Sequence, residues 1–513
     1  MNSNITTTNS YKVSSDRVSK SILTLGVFLT FVYGFVIFWL LPKGETWLYW
    51  TLMVGEIFHI WLILSYIFTV WPRESSFTYD NRLQPFVDIF VTVAGEPVEI
   101  VKKTVRAAKN IQYPKKNIFV LNDGFVCGSD NWKEIEELCV TEDVGCITRV
   151  IGGGAKAGNI NNALRITSSP LVAVFDADHI PRANFLTETV PYFVDPKMAF
   201  VQTPQYYGNY FENNVTVGAS EQQELFFGPI LEGKNNANSV FMCGTNMVLS
   251  RKALEQVGGL CDTNIAEDFL TSLFIHEKGW KSVYIPKVLA VGLAPGDFLS
   301  YYKQQFRWAR GSLEVIFKYN PLFRSGLSFQ QKIHYLVSAS YYLSGLFVII
   351  NMVVPLIYLV FQVEPLRTST MTLAFTFLPY LFICIYILQK SSGSSYTFKA
   401  LSFSMGSFFI FTSALISVLL NKKVSFDVTS KEAISGNFVK LIIPHLVYLG
   451  LCIFASGYYL YFNGFTPSFI TNFSWIFFNN IVFVPFVLAA MPIFDFAKIR
   501  VFQKKTKLVN ENN

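Results

Sequence analysis

Apolar positions follow two regimes along this chain. From residue 85 to 320 the apolar runs are short and broken by polar residues. Phe86–Ala94 (FVDIFVTVA) is rich in β-branched and aromatic residues and predicts a strand. Glu96-Pro97 opens a helix to about Lys109, Tyr113-Pro114 marks a turn, and Ile118–Leu121 predicts a second strand ending in Asn122-Asp123-Gly124. Strand, helix and strand within about 35 residues make a βαβ unit and hence a parallel sheet. Ile160–Ile166 and Ala266–Glu277 predict further helices, and Leu171–Phe175 is a wholly apolar strand. Phe298, Tyr302, Phe306, Ala309, Leu313 and Phe317 recur at helical spacing, so Tyr301–Glu314 is an amphipathic helix. On it Gln304, Arg307 and Trp308 stand at i, i+3 and i+4 and share one face.

Outside that region the apolar runs are long. A bilayer core of about 30 Å needs about 20 apolar residues per helix. Ile22–Leu41, Trp47–Val70, Leu336–Phe361, Met371–Leu388, Leu401–Leu420, Leu441–Phe462 and Phe473–Phe494 qualify. The first is too long for a signal peptide and lacks a small-residue cleavage site. Lys12, Arg17 and Lys20 precede the first run, and Lys498, Arg500, Lys504, Lys505 and Lys507 follow the last. The positive-inside rule puts both ends in the cytoplasm, so the number of spans is even. Leu401–Leu420 carries five Ser and one Thr and runs into Asn421-Lys422-Lys423. It is therefore expected in the membrane interface, leaving about six spans.

The expected organisation is a polar, unordered cytoplasmic tail over 1–20, a transmembrane hairpin over 21–71 and a cytoplasmic α/β domain over 85–320. Two spans over 333–390, an interfacial helix over 398–420, a polar loop over 421–435, two spans over 438–495 and a tail over 496–513 follow.

Composition agrees. Hydrophobic residues make up 51% of the chain, charged residues 15%, and Phe occurs 50 times, which fits a membrane protein with a soluble insert. The net charge of +7 fits a positive-inside bias better than nucleic-acid binding. The seven cysteines show no CxxC spacing, so neither a disulfide framework nor a zinc site is expected.

Candidate chemistry lies at strand ends. Asp176-Ala177-Asp178-His179 directly follows the apolar strand. Two carboxylates at a buried strand end call for a cation, and a hard divalent ion that also grips a diphosphate suits them. Asp123 ends a neighbouring strand and should share the crevice. Gly152–Asn162 (GGGAKAGNINN) lacks the P-loop and dinucleotide fingerprints. It reads either as a flexible turn or as a backbone that brings Lys156 to a diphosphate. Phe241–Asn246 (FMCGTN) alone reads as a buried turn. Glu267 and Asp268 begin a helix, where an acid is often only a dipole partner. His179 and His276 lack ligand-spaced partners and read as core or surface residues.

Taken together, NDG at 122–124, KAGN at 156–159, DAD at 176–178, QTP at 202–204, FMCGT at 241–245, ED at 267–268 and QQFRW at 304–308 form an ordered set. The set resembles the processive, membrane-embedded glycosyltransferases of family two, above all the bacterial cellulose synthase catalytic subunit and related β-glucan synthases. Phe426-Asp427-Val428-Thr429-Ser430-Lys431 resembles the FxVTxK gating loop of cellulose synthases.

The resemblance implies a GT-A-like, Rossmann-type cytoplasmic domain in a multi-pass protein of the plasma (inner) membrane. It implies that Asp123, Lys156, Asp176, Gln304 and Arg307 bind the UDP-sugar donor, and that Asp178 with Asp176 holds Mg²⁺ or Mn²⁺. Asp268, beside Glu267, would be the general base. Trp308, Phe241, Cys243 and Gly244 would face the acceptor, and Phe426, Val428, Thr429 and Lys431 would belong to the gating loop. The partners implied are UDP-glucose, the growing polysaccharide and membrane lipid, with no nucleic acid.

Two departures stand out. Ala266 replaces the threonine of the family's TED motif, and about 19 residues after the last run leave no room for a PilZ domain. No direct cyclic-di-GMP binding is therefore expected. The expected activity is inverting polymerisation of glucose into a β-glucan that crosses the membrane. Curdlan, mixed-linkage glucan, another UDP-hexose polymer such as mannan or a chitin-like chain, and non-processive transfer to a lipid acceptor remain alternatives. A transporter with a regulatory domain would not need these motifs intact.

Overall fold

The computed structural model describes residues 9–14, 17–422 and 436–491. Strand β1 (Asn9–Ser14) precedes helix α1 (Lys20–Phe35), which continues as a wider π turn to Leu40, and helix α2 (Thr46–Val70). Strand β2 (Glu74–Tyr79) then pairs antiparallel with β1, with Asn9 opposite Tyr79 and Ser14 opposite Glu74. The expectation of an unordered tail therefore fails for Asn9–Ser14. Polar composition does not prevent a main-chain ladder, and the backbone of β2 needs partners.

The α/β domain starts with β3 (Val87–Val93), α3 (Val98–Lys109), β4 (Lys116–Asn122), α4 (Trp132–Thr141), β5 (Gly145–Thr148), α5 (Ala155–Ile166) and β6 (Leu171–Asp176). It continues through β7 (Ile180–Pro181), α6 (Phe185–Thr189), β8 (Met198–Gln202), β9 (Tyr206–Tyr207), α7 (Asn214–Leu225), α8 (Leu231–Lys234) and β10 (Met247–Ser250). Helices α9 (Arg251–Val257) and α10 (Glu267–Glu277), strands β11 (Lys281–Tyr284) and β12 (Ala290–Gly292), and helix α11 (Phe298–Tyr319) complete it.

The central sheet has the order β11-β8-β10-β6-β3-β4-β5. Strand β3 lies parallel to β4 and β6, while β10 is antiparallel to both β6 and β8, so the sheet is mixed and mostly parallel. Every residue of β3 is buried, as expected for a strand covered on both faces. Phe90, Val172, Val174 and Phe200 pack in one layer with α5, and Ile89, Ala173, Phe175 and Val248 in the other. Asp88, buried within this strand, is satisfied by Ser169 N–H at 3.0 Å, Ser169 Oγ at 2.6 Å and Asn117 Nδ2 at 2.9 Å. A small second sheet, β7-β12-β9, borders the end of β6.

Helix α11 is longer than its sequence pattern predicts, because Asp297 caps it through Ser300 N–H at 2.8 Å. Phe298, Ala309 and Leu313 are buried as expected, but Phe317 is exposed and Tyr301 is buried instead. The shift arises because α11 is enclosed on two sides, by the α/β domain and by later helices. Those are α12 (Phe329–Ser340), α13 (Ser344–Phe361), α14 (Thr370–Ser391), α15 (Phe398–Gly406), α16 (Phe408–Leu419), α17 (Ile443–Asn463) and α18 (Pro467–Ala489).

Among the described residues, seven helical stretches are long and apolar enough to cross a membrane. The stretch Phe398–Leu419 is the most buried of them within the protein and is broken at Ser407. Helices of 9 and 12 residues are each too short for a core of about 30 Å at about 1.5 Å per residue. Seven candidates with one broken stretch are consistent with about six spans. Helix α18 starts earlier than the apolar run predicts, because Thr466 Oγ1 accepts from Phe469 N–H at 3.1 Å and Pro467 suits the first turn. At the far end of the helices the α1–α2 and α13–α14 connections meet. Gly44 N–H donates to Pro365 O at 3.0 Å, Glu45 N–H to Glu364 O at 2.9 Å, and Arg367 N–H to Pro42 O at 2.9 Å.

Candidate active site

The C-terminal ends of β3, β4 and β6 open on one side of the sheet, and the chemistry-bearing residues gather there. Asp123 follows β4 and is 4% exposed. Burial pushes its carboxyl up, and Arg149 opposes this with two hydrogen bonds, Nε to Oδ1 at 2.8 Å and Nη2 to Oδ2 at 2.6 Å. The same guanidinium donates to the carbonyls of Gly153 and Ala155. Asp123 is thus joined to the glycine-rich loop through Arg149, a residue that sequence reasoning missed. Its signal was a lone basic residue three positions before the glycine run.

The glycine-rich stretch is not a turn ahead of a helix at Ile160. Helix α5 already begins at Ala155, capped by Gly154 in the left-handed conformation, so Lys156 stands in the first helical turn. Its ammonium bonds the Asp176 carboxylate and donates to Gly244 O at 2.6 Å. Thr92 Oγ1 donates to Asp176 Oδ1 at 3.3 Å, and Asp176 N–H to Thr245 Oγ1 at 2.9 Å.

The loop 241–246 is braced from three sides. Cys243 N–H donates to Gln202 Oε1 at 2.8 Å, Gln205 Nε2 to Cys243 O at 2.7 Å, and Met242 N–H to Ser272 Oγ at 2.8 Å. The QTP segment therefore serves as scaffold for this loop. Gly244 has φ +80°, and a Cβ there would lie 3.2 Å from Asp268 Oδ2 and 3.6 Å from Lys156 Nζ. A side chain would enter the space between the Asp268 carboxylate and the Lys156 ammonium, and the positive φ favours glycine. Phe241, 8% exposed, packs edge-on against Phe269 and faces Tyr335 and Phe226, so its ring is turned into the core. Burial raises the Cys243 thiol well above its ordinary range, which leaves it uncharged and inert.

Glu267 and Asp268 start α10. Burial, then the charge of Asp268, pushes Glu267 up to about 7, against the pull of Lys156 and Arg307. Asp268 is raised as well, chiefly by burial, and Lys156 and Arg307 again oppose the shift. Lys156, Asp176, Gly244, Glu267, Asp268 and Arg307 thus form one electrostatic group. Gln304, on the same helix as Arg307, has a buried Oε1 without a hydrogen-bond partner among the described residues, an acceptor available to a ligand. Trp308 is half-buried next to Arg307. Phe426, Val428, Thr429 and Lys431 lie outside the described residues.

Ligand atoms of Asp176, Asp178 and His179 all lie within 4.8 Å of one another. Asp178 is 2% exposed, and His179 Nδ1 lies 3.3 Å from its Oδ1. Two carboxylates and an imidazole fit a divalent cation that accepts mixed oxygen and nitrogen donors. His179, taken from sequence as a core or surface residue, therefore sits within reach of the metal position.

Residues 85–311 match the model of the glycosyltransferase like family 2, and residues 255–449 match that of cellulose synthase. The cellulose synthase catalytic subunit [UDP-forming] of Pseudomonas fluorescens is 30% identical over 77% of this chain and 55% of its own length. The enzyme of the same name from Xanthomonas axonopodis pv. citri is 35% identical over 55% of this chain and 40% of its own. The chain spans between a quarter and a little over half of the lengths of the curated relatives it matches. A mannosyltransferase from Pyrobaculum calidifontis, solved with GDP-Man and Mn²⁺, has 15% identity and a TM-score of 0.49, covering 78% of this chain and 100% of that one. The mixed, mostly parallel sheet and these two overlapping matches support a family-two, cellulose synthase-like glycosyltransferase.

Proposed function

We propose that this chain is a membrane-embedded, processive, inverting glycosyltransferase that polymerises glucose from UDP-glucose into a β-glucan and passes it across the membrane. The observation that carries the chemistry is the meeting of Asp268 with Lys156 beside Gly244, next to Asp176 at the end of β6. Inverting transfer is one displacement at the anomeric carbon. The bond from that carbon to the diphosphate oxygen breaks, a bond to the acceptor oxygen forms, and the hydroxyl proton must leave. Asp268 takes that proton. Burial keeps the base from being too weak at neutral pH, while Lys156 and Arg307 favour its ionised form.

The leaving UDP carries the developing charge, and Lys156, Arg307 and Gln304 are placed to receive it. Asp123, oriented by Arg149, binds the nucleotide end of the donor. Asp176, Asp178 and His179 would hold Mg²⁺ or Mn²⁺, which neutralises the diphosphate when bound. Trp308 offers an aromatic face to the acceptor sugar. The gating-loop residues Thr429 and Lys431 would approach the nucleotide from the polar segment. The catalytic domain lies on the cytoplasmic side, where UDP-sugars are available, and the apolar helices carry the product outward.

The test is UDP release and polymer formation by the purified full chain from a panel of labelled UDP-sugars, followed by digestion with linkage-specific glucanases. UDP-glucose should give a product cut by a β-glucanase. Release of UDP without polymer would favour single transfer to a lipid acceptor. No release from any UDP-sugar with either metal would overturn the enzyme assignment.

A further inference from the structure

Helix α10 carries the base pair and α11 carries Arg307 and Trp308, so the relative position of these helices sets the reacting geometry. Further along, Phe274 of α10 packs edge-on against Tyr319 of α11, but the contact nearest the reacting groups lies at the start of α10. Asn264, 6% exposed, spans the junction: its Oδ1 accepts from Ala266 N–H at 2.7 Å, and its Nδ2 donates to Gly311 O at 3.4 Å. Ala266 is the N-cap of α10, and its carbonyl accepts from Leu270 N–H at 3.2 Å. On the facing helix, Gly311 is buried one turn beyond Trp308. A Cβ built on Gly311 would lie 2.4 Å from Ala266 Cβ, 2.7 Å from Ala266 N and 3.1 Å from Ala266 Cα. The obstructing atoms are mostly backbone, which cannot swing aside as the end of a long side chain can.

We infer that Asn264 and Gly311 are positioning residues for glycosyl transfer: they clamp the first turn of α10 to α11 and so set the placement of Asp268 relative to Arg307 and Trp308. The inference rests on the glycosyltransferase reading. Neither residue touches a reacting atom. Gly311 permits the backbone approach, and the Asn264 amide fixes its register by bonding both elements at once. The departure at position 266 gains a physical meaning here, because that side chain is the one seated on Gly311. Displacing α11 would weaken the pull of the Arg307 charge on Asp268 without touching Asp123, Arg149 or the metal-binding group. Chemistry should therefore suffer more than nucleotide binding.

The test uses the full chain in detergent, with Mn²⁺ and UDP-glucose. Gly311→Ala should lower kcat about 10-fold or more and leave the Kd for UDP within about twofold. Adding Ala266→Gly, which removes the facing Cβ at 2.4 Å but not the backbone nitrogen at 2.7 Å, should restore part of the lost kcat. Asn264→Asp keeps the acceptor for Ala266 N–H and loses the donor to Gly311 O. It should lower kcat about fivefold and shift the acid limb of the kcat profile upward in pH, with UDP affinity retained.

Wild-type kcat in both Gly311→Ala and Asn264→Asp would overturn the inference, as would equal losses of kcat and UDP affinity in both. A single-particle structure supplies a readout independent of activity. It should show a wider separation of Asp268 and Arg307 in Gly311→Ala that narrows in the double variant, and an unchanged separation in Gly311→Ala would also overturn it. A wild type that releases no UDP from any sugar would overturn the enzyme assignment alone, and the structural comparison would still decide the clamp.

Discussion

Arg149 holds Asp123 through a bidentate pair, with Nε–Oδ1 at 2.8 Å and Nη2–Oδ2 at 2.6 Å, and both side chains are buried. The guanidinium's remaining hydrogen bonds go to the loop that leads into Lys156. Removing it would leave an uncompensated buried acid, at about 3–5 kcal/mol. Arg149→Met should lower the thermal midpoint markedly and weaken UDP binding. Arg149→Lys should recover part of the stability and little of the binding, because an ammonium cannot reproduce the fork. Differential scanning fluorimetry and calorimetric UDP titration check both.

The base pair predicts a pH profile. Glu267 sits near 7 and Asp268 is raised, both chiefly by burial. Activity should rise with pH through an acid limb displaced above the ordinary carboxylate range, because burial raises the base Asp268. Asp268→Asn should cost about 10²–10⁴-fold in kcat. For stability the sign is opposite. The native protein holds the Glu267 proton from about 7 downward, while the unfolded chain holds it only below about 4.5. Stability contributed by this site therefore falls as pH rises across that window, and Glu267→Gln should flatten the slope.

Lys234 gives a complementary slope. It is 2% exposed, its ammonium donates to His334 O at 3.0 Å, and burial lowers it to about 7. The unfolded chain keeps this proton to about 10.5, so stability should rise between about 7 and 10.5. Lys234→Met should remove that rise, which chemical denaturation at several pH values would show.

Gly244→Ala should be nearly inactive. Its backbone has φ +80°, and its Cβ would crowd Asp268 and Lys156. The strain is about 1–3 kcal/mol, and the intrusion into the base's surroundings adds to it. Trp308→Ala should instead lose polymer while keeping UDP affinity within about threefold, which separates acceptor from donor.

Chelation should abolish UDP release, and Mg²⁺ or Mn²⁺ should restore it. His179→Ala should raise the metal concentration needed for half-maximal activity about 10–100-fold. An unchanged requirement would remove His179 from the metal position.

Local patterns made much of this molecule readable in advance. The strands ending in Asp123 and Asp176, the helix beginning at Glu267 and the face bearing Gln304, Arg307 and Trp308 follow from periodicity and strand-end chemistry. Arg149 and Asn264 were not readable, because their roles depend on partners that only the fold brings close. The antiparallel direction of β10 was also hidden, since Met247–Leu249 is an apolar run that carries no sign of its orientation. Helix α5 begins early because Arg149 donates hydrogen bonds to the turn's carbonyls, a tertiary effect that overrides the glycine-rich composition.

The strand pair β1–β2 has a topological consequence. Main-chain hydrogen bonds cannot join two segments through a lipid bilayer. Asn9–Ser14 and Glu74–Tyr79 must therefore occupy one side, and the chain makes an even number of passages between them. The bonds joining Gly44 and Glu45 to Pro365 and Glu364 likewise put those two tips on a common side. Helices α1, α2, α13 and α14 thus form two U-shaped hairpins with tips pointing the same way, and the backbone itself dictates their up-and-down sense independently of any count of lysines and arginines.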